Sequence, residues 1–200
     1  MTTDERRQLA AWIGDLRNLL ATVAPDVPLP PAMDAERGDL AAPTTLPVLG
    51  HLRSLASGAV SASATLVDDF GRLAPLMRWR QTYGTGEADA GFLRGYGWAE
   101  LAGAGGLVRA PGISAGVLLL GPDCHYPAHS HPAHEFYVPL AGTADWFDEE
   151  GGWREVPPLR AIVHRSRITH AMQTGAEPLL AYFHWSGEGV DDRARFSATG

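Results

Sequence analysis

Cys124-His125-Tyr126-Pro127-Ala128-His129-Ser130-His131-Pro132-Ala133-His134-Glu135-Phe136-Tyr137-Val138-Pro139-Leu140-Ala141-Gly142 is the stretch on which the reading of this chain turns. Alternate side chains of an extended strand share a face. His129 and His131 therefore point one way, and counting on by twos reaches Glu135 and Tyr137. The opposite parity holds Phe136, Val138 and Leu140, an apolar layer suited to packing. Pro132 is expected to interrupt the strand, so the parity holds within each piece. Two imidazoles and a carboxylate converging on one face are what a divalent transition metal requires.

A third histidine must come from farther along. His170 stands about one hairpin downstream, ahead of strand-like sequence, and His164 competes with it from six residues earlier. Three histidines and a glutamate suit one ion of iron, manganese, zinc, nickel or cobalt, and ligand type does not choose among them. His51, His134 and His184 are read as structural, with His125 ambiguous.

Outward from this stretch the chain changes character near residue 85. Thr2 with Glu5 fits a capping box. Leu9, Trp12, Ile13, Leu16, Leu19, Leu20 and Val23 then recur at helical spacing. Pro25, Pro28, Pro30 and Pro31 stop that helix. A short helix is expected near Leu46 to Leu55, with Ser54 to Thr65 as loop or a frayed end, and another around Leu66 to Met77 with a kink or break at Pro75. From Gly91 onward, strand-like runs are Phe92–Leu101, Gly112–Leu120, Phe136–Phe147, Trp153–Val156, Arg160–His164, His170–Thr174 and Leu179–Trp185. Short strands at close spacing predict a mainly β sandwich or small barrel. Residues 1–85 are expected to form a helical region packed on a barrel of residues 86–200, because its apolar stripe cannot be buried alone.

Composition narrows the chemistry. The chain has 200 residues, and seven of its eight histidines fall between His125 and His184. It has no lysine, which excludes Schiff-base catalysis and a lysine-bearing phosphate loop. The net charge of −7, with no basic run, argues against a nucleic acid or an anionic membrane as partner. A single cysteine, Cys124, excludes an internal disulfide. The N-terminal residues lack the apolar core of a signal peptide, and no apolar run approaches the ~20 residues of a membrane span. A cytoplasmic protein is expected, monomeric or a homodimer.

Two motifs are decoys. Gly112-Ile113-Ser114-Ala115-Gly116 matches a nucleophile elbow, but Val117-Leu118-Leu119-Leu120 reads as strand where that motif needs a helix. The glycines from Gly103 to Gly106 lack the strand–turn–helix frame of a dinucleotide site.

His129-Ser130-His131, then Glu135, then Gly142, resembles the first motif of the cupins, whose fold is a double-stranded β-helix or jelly-roll barrel. The second motif is degenerate, with His164-Arg165-Ser166 in place of its Pro-x-Gly and His170 one residue later than usual. His125-Tyr126, His129-Ser130-His131-Pro132-Ala133 and Glu135-Phe136-Tyr137 together resemble the cupin-type dimethylsulfoniopropionate lyases, most closely their short Q-type branch. That resemblance covers nearly the whole chain, N-terminal helical region included. It implies His129, His131, Glu135 and His170 as metal ligands, Tyr137 as the base at the metal and Tyr126 as a second active-site tyrosine.

The implied reaction is a β-elimination on a small zwitterionic sulfonium substrate, giving dimethyl sulfide and acrylate. A weakly acidic α proton calls for a cation beside the substrate carboxylate and for a strong base. A free tyrosine, with a pKa of about 10, becomes such a base only near positive charge. Aromatic faces could hold the sulfonium group, and the candidates are Trp79, Tyr83, Tyr96, Trp146, Phe183 and Trp185. The competing readings are another metal-dependent cupin enzyme, a dioxygenase or an isomerase, and a non-enzymatic cupin that binds a small ligand.

Overall fold

Thr2 starts the first helix as its sequence demands. Its hydroxyl accepts from the Glu5 N–H at 3.2 Å while the Glu5 carboxylate accepts from the Thr2 N–H at 2.6 Å, so two free amides are satisfied reciprocally. The computed structural model describes residues 1–34 and 42–197. Helix α1 (Thr3–Val23) buries Leu9, Trp12, Ile13, Leu16 and Leu20, the predicted stripe. The segment expected as a short helix is a 3-10 helix, Pro47–Gly58, which runs on into the stretch expected as loop or a frayed end. Helix α2 (Ala64–Leu73) gives way at Pro75 to a single 3-10 turn, Ala74–Leu76. Of the kink or break expected at Pro75 the structure has the break, because the proline ring clashes with the preceding turn and offers no N–H to continue the α-helix.

The remaining elements are α3 (Ala90–Arg94) and the strands β1 (Trp79–Arg80), β2 (Tyr96–Gly103), β3 (Val108–Arg109), β4 (Ile113–Leu120), β5 (His125–Ser130), β6 (His134–Ala141), β7 (Ala144–Asp148), β8 (Gly152–Val156), β9 (Ile162–His164), β10 (His170–Thr174), β11 (Leu179–Ser186) and β12 (Arg195–Phe196). Two expected strands divide. Phe92 belongs to α3, because the Asp89 carboxylate caps the Gly91 and Phe92 N–H groups. The run Phe136–Phe147 turns at Gly142, whose φ of +81° suits glycine, and becomes β6 and β7.

Six strands follow the order β1-β2-β4-β11-β6-β9 with β3 appended to β2, and five follow β12-β5-β10-β7-β8. From β4 onward the chain passes repeatedly from one sheet to the other, the winding of a cupin-type double-stranded β-helix. Every ladder is antiparallel except β2–β3. The elbow-like decoy lies in β4, where a Cβ on Gly116 would come within 2.1 Å of the Ala99 carbonyl. That glycine serves close strand approach, and the Ser114 hydroxyl donates to Glu100.

The larger sheet separates two cores. Ala99, Leu101, Val117, Leu119, Val138, Leu140 and Tyr182 face α1 and α2. Tyr96, Leu118, Leu120, Tyr137, Ala181 and Phe183 face the second sheet. The parity read from the sequence holds: Val138 and Leu140 pack toward the helices, with Phe136 against them, while Tyr137 points into the barrel. Both faces of the sheet are covered, which is why β4 is apolar from Val117 to Leu120 without alternation.

Candidate active site

Strict alternation would put Tyr126 and His129 on opposite faces of β5. The ladder to β10 pairs His129 with His170 and Tyr126 with Met172, so two residues of β5, Pro127 and Ala128, oppose one of β10, Ala171. This bulge turns both side chains inward, and their rings stack at 4.1 Å and 11°. His131 follows the end of β5, Glu135 lies on β6 and His170 begins β10. All four of His129, His131, Glu135 and His170 are buried.

Three of these histidines are oriented alike. Nδ1 of His129 lies 2.8 Å from the Pro127 carbonyl, Nδ1 of His131 3.1 Å from that of Ala133, and Nδ1 of His170 2.9 Å from that of Ile168. A carbonyl only accepts, so each Nδ1 carries the proton and, in a neutral ring, each Nε2 keeps its lone pair. Burial holds His129 well below the usual histidine range, hence neutral.

Ligand atoms of His131, Glu135 and His170 lie within 4.8 Å of one another. The Nε2 atoms of His131 and His170 are each 3.1 Å from Glu135 Oε2. His170 Nε2 is buried without a hydrogen-bond partner, despite that short approach. Burial opposes the charge on Glu135, but His131 and the surrounding imidazoles outweigh it and keep the carboxyl well below its ordinary range. Lone pairs facing a carboxylate in a buried pocket are satisfied by a cation, so the donor set fits a metal ion. His129 lies one step outside this group of three. Its ring is 4.2 Å from that of His170 and 6.4 Å from that of His131.

Two neighbours brace the group. The Trp185 indole stacks on His131 at 3.9 Å and donates its N–H to Glu135 Oε1. That leaves Oε2 to the histidines. His164, the sequence competitor of His170, also enters: its Nδ1 is 3.2 Å from Glu135 Oε2 and its ring stacks on His170 at 4.0 Å. Burial pushes the His164 ring down to about 4. Nothing in its spacing announced this contact, which comes from the β6–β9 pairing of Glu135 with His164.

Above the group opens a cavity of about 550 Å³, whose lining includes Tyr126, Tyr137, Tyr96, Trp98, Phe183 and Trp185. Burial raises both Tyr126 and Tyr137 well above 10, and the charge on Glu135 adds to the rise at Tyr137. Of the expected sulfonium-facing aromatics, Tyr96, Phe183 and Trp185 line this cavity. Trp79 instead sits in the helical core, Trp146 is buried 5.0 Å behind Tyr137, and Tyr83 packs edge-on against Tyr126. Trp98 was not among those candidates, and no spacing signal distinguished it. His125 is exposed beside Trp153, Cys124 is a buried thiol pushed up to about 11, and His184 hydrogen-bonds Tyr182 at 3.1 Å.

Residues 32–181 match the family model of the dimethylsulfoniopropionate lyases. The chain is 30% identical over 146 residues to the dimethylsulfoniopropionate lyase DddQ of Ruegeria pomeroyi, spanning 73% of each protein. The crystal structure of DddQ from that organism superposes with a TM-score of 0.83 at 26% identity, covering 98% of both chains. A chain from the crystal structures of the lyases RdDddP and RnDddQII superposes with a TM-score of 0.87 at 27% identity, over 96% of this chain and 99% of that one. With a family match across three quarters of its length and a relative of this identity, the chain belongs to the dimethylsulfoniopropionate lyase family.

Proposed function

We propose that this chain cleaves dimethylsulfoniopropionate by β-elimination, releasing dimethyl sulfide and acrylate, with one divalent transition metal ion (iron, manganese, zinc, nickel or cobalt) held by His129, His131, Glu135 and His170. The observation that carries the reading is the placement of Tyr126 and Tyr137 in one cavity above a buried set of like-oriented histidines around Glu135. Family membership supplies the substrate class.

When bound, the ion supplies Lewis acidity to the substrate carboxylate and positive charge beside the tyrosines. Tyr137 takes the proton from the α carbon. Its position two residues beyond Glu135, on the same inward face, sets it next to the carboxylate that now raises it and that a cation would neutralise. Tyr126 orients the substrate from the opposite sheet, held by its stack on His129. Trp98, Phe183 and Trp185 offer faces to the sulfonium group and displace water from around it. The α C–H electron pair becomes the new double bond, and the Cβ–S pair leaves on sulfur.

Headspace analysis over the purified protein supplied with dimethylsulfoniopropionate tests the reading. Dimethyl sulfide should appear, fall on chelation and return with added metal. Full metal occupancy without volatile sulfide would overturn it.

A further inference from the structure

Each turnover of the proposed elimination frees a proton, because a zwitterion becomes a neutral sulfide and an anion. That proton starts at the inner end of the cavity, where Tyr126 and Tyr137 are 4% and 5% exposed. It has to reach solvent before the base can act again.

We propose, resting on the lyase reading, that the hydroxyls of Tyr126, Tyr96 and Thr82 form its exit path, with Tyr96 as the positioning residue at the middle. The Tyr96 hydroxyl lies 3.4 Å from that of Tyr126 and 2.8 Å from that of Thr82. Each group both donates and accepts, so a proton entering at one end is passed on as another leaves. All three residues line the one cavity, and Thr82 is half-buried, where the buried phenols give way to solvent. The longer step lies at the substrate end. Hydrogen bonds between catalytic groups are often long before substrate binds and tighten in the complex.

The surroundings hold this chain of hydroxyls in place. Phe92 stacks on Tyr96 at 4.7 Å and 18°. The Gln81 amide, next to Thr82, donates to the Tyr96 carbonyl at 2.8 Å and to that of Leu93, locking the Thr82 segment onto the start of β2. Tyr83 is close to the same rings, but its hydroxyl is buried without a partner and stands outside the path. In each passage the α C–H bond breaks and a Tyr137 O–H bond forms, Tyr137 gives that proton to Tyr126 by way of water in the cavity both line, and water at the cavity mouth accepts the proton that Thr82 gives up.

Tyr96→Phe keeps the stacked ring and removes one hydroxyl, and Thr82→Val is nearly isosteric. With dimethylsulfoniopropionate as probe, each should lower kcat by about 10- to 100-fold with KM unchanged. The solvent deuterium isotope effect on kcat should rise, because proton exit becomes limiting. Small diffusible bases such as imidazole should restore part of kcat in Thr82→Val. Unchanged kcat and isotope effect in both variants, beside an active wild type, would overturn the exit path alone. A raised KM with normal kcat in Tyr96→Phe would overturn it too, making Tyr96 part of the substrate wall. A wild type that releases no dimethyl sulfide would overturn the lyase reading and the exit path with it.

Discussion

Tyr126 lies flat on His129, ring to ring at 4.1 Å, although the two are three residues apart on one strand and simple alternation would part them. The bulge in β5 therefore joins one of the proposed catalytic tyrosines to one of the proposed ligands. Tyr126→Phe keeps the stack, so metal content should stay normal while turnover falls. Tyr126→Ala removes the wall against which His129 rests and should lower metal content as well. Metal analysis beside activity separates the two, and equal metal loss in both would contradict this coupling.

Tyr137→Phe tests the base directly. Turnover should drop by about 10²- to 10⁴-fold, the range for loss of a general base. Metal content and thermal midpoint should change little, since the ring still packs on Trp146 at 5.0 Å. Near-normal turnover with metal bound would remove Tyr137 from the mechanism.

His129 is the proposed ligand that the geometry leaves outermost. His131→Ala and His170→Ala each break the compact group and should abolish tight metal binding. If His129 completes the set, His129→Ala should weaken binding by at least about 10- to 100-fold in a competitive chelator titration. Wild-type affinity would reduce His129 to a support for Tyr126.

Trp185→Phe preserves an aromatic face over His131 but withdraws the only N–H given to Glu135 Oε1 among the described contacts. Metal affinity is expected to fall by about 10- to 100-fold, as for other outer partners of ligating groups. Trp185→Leu should lose the stack besides and fall further. Equal affinities for the two variants would show that the hydrogen bond matters and the stack does not.

His184 gives the protein an acid-sensitive contact beside Tyr182, on the helix-facing side of the larger sheet. Burial depresses the ring to about 4, so the folded chain holds it neutral where an unfolded chain protonates near 6.5. Its Nδ1–H faces the Tyr182 hydroxyl, which in turn donates to the Pro28 carbonyl at 3.0 Å. The stability from this neutral histidine is whole above pH 6.5 and declines as pH falls from about 6.5 toward 4. Urea midpoints should drop across that window, and His184→Gln should flatten the slope. Parallel slopes for the two proteins would assign the acid sensitivity elsewhere.

Much of the site could be read from His129 to Tyr137, because inward and outward residues there obey a period of two that burial enforces. The capping box at Thr2 and the stripe of α1 were equally legible, being local. What escaped reading depended on contacts between strands. His164 reaches Glu135 through pairing of β6 with β9, and Trp185 reaches it through pairing of β11 with β6. Neither register follows from the spacing of residues along the chain. The β5 bulge escaped for a similar reason: an inserted residue reveals itself only against a partner strand. Phe92 was misplaced because one capping carboxylate, Asp89, outweighed the strand-forming character of the residues around it.

The larger sheet works as a partition with different tenants on its two sides. Odd-numbered positions of β6 near the histidine–glutamate group face the cavity, and even-numbered ones face the helices; on β11 the same division separates Phe183 from Tyr182. Selection for a new substrate can thus rewrite one series while the other goes on holding the fold. Heat resistance could be raised by repacking the helical side without redrawing the cavity. For an engineer, whether a residue number between Glu135 and Leu140 is odd or even already says which assay to run first.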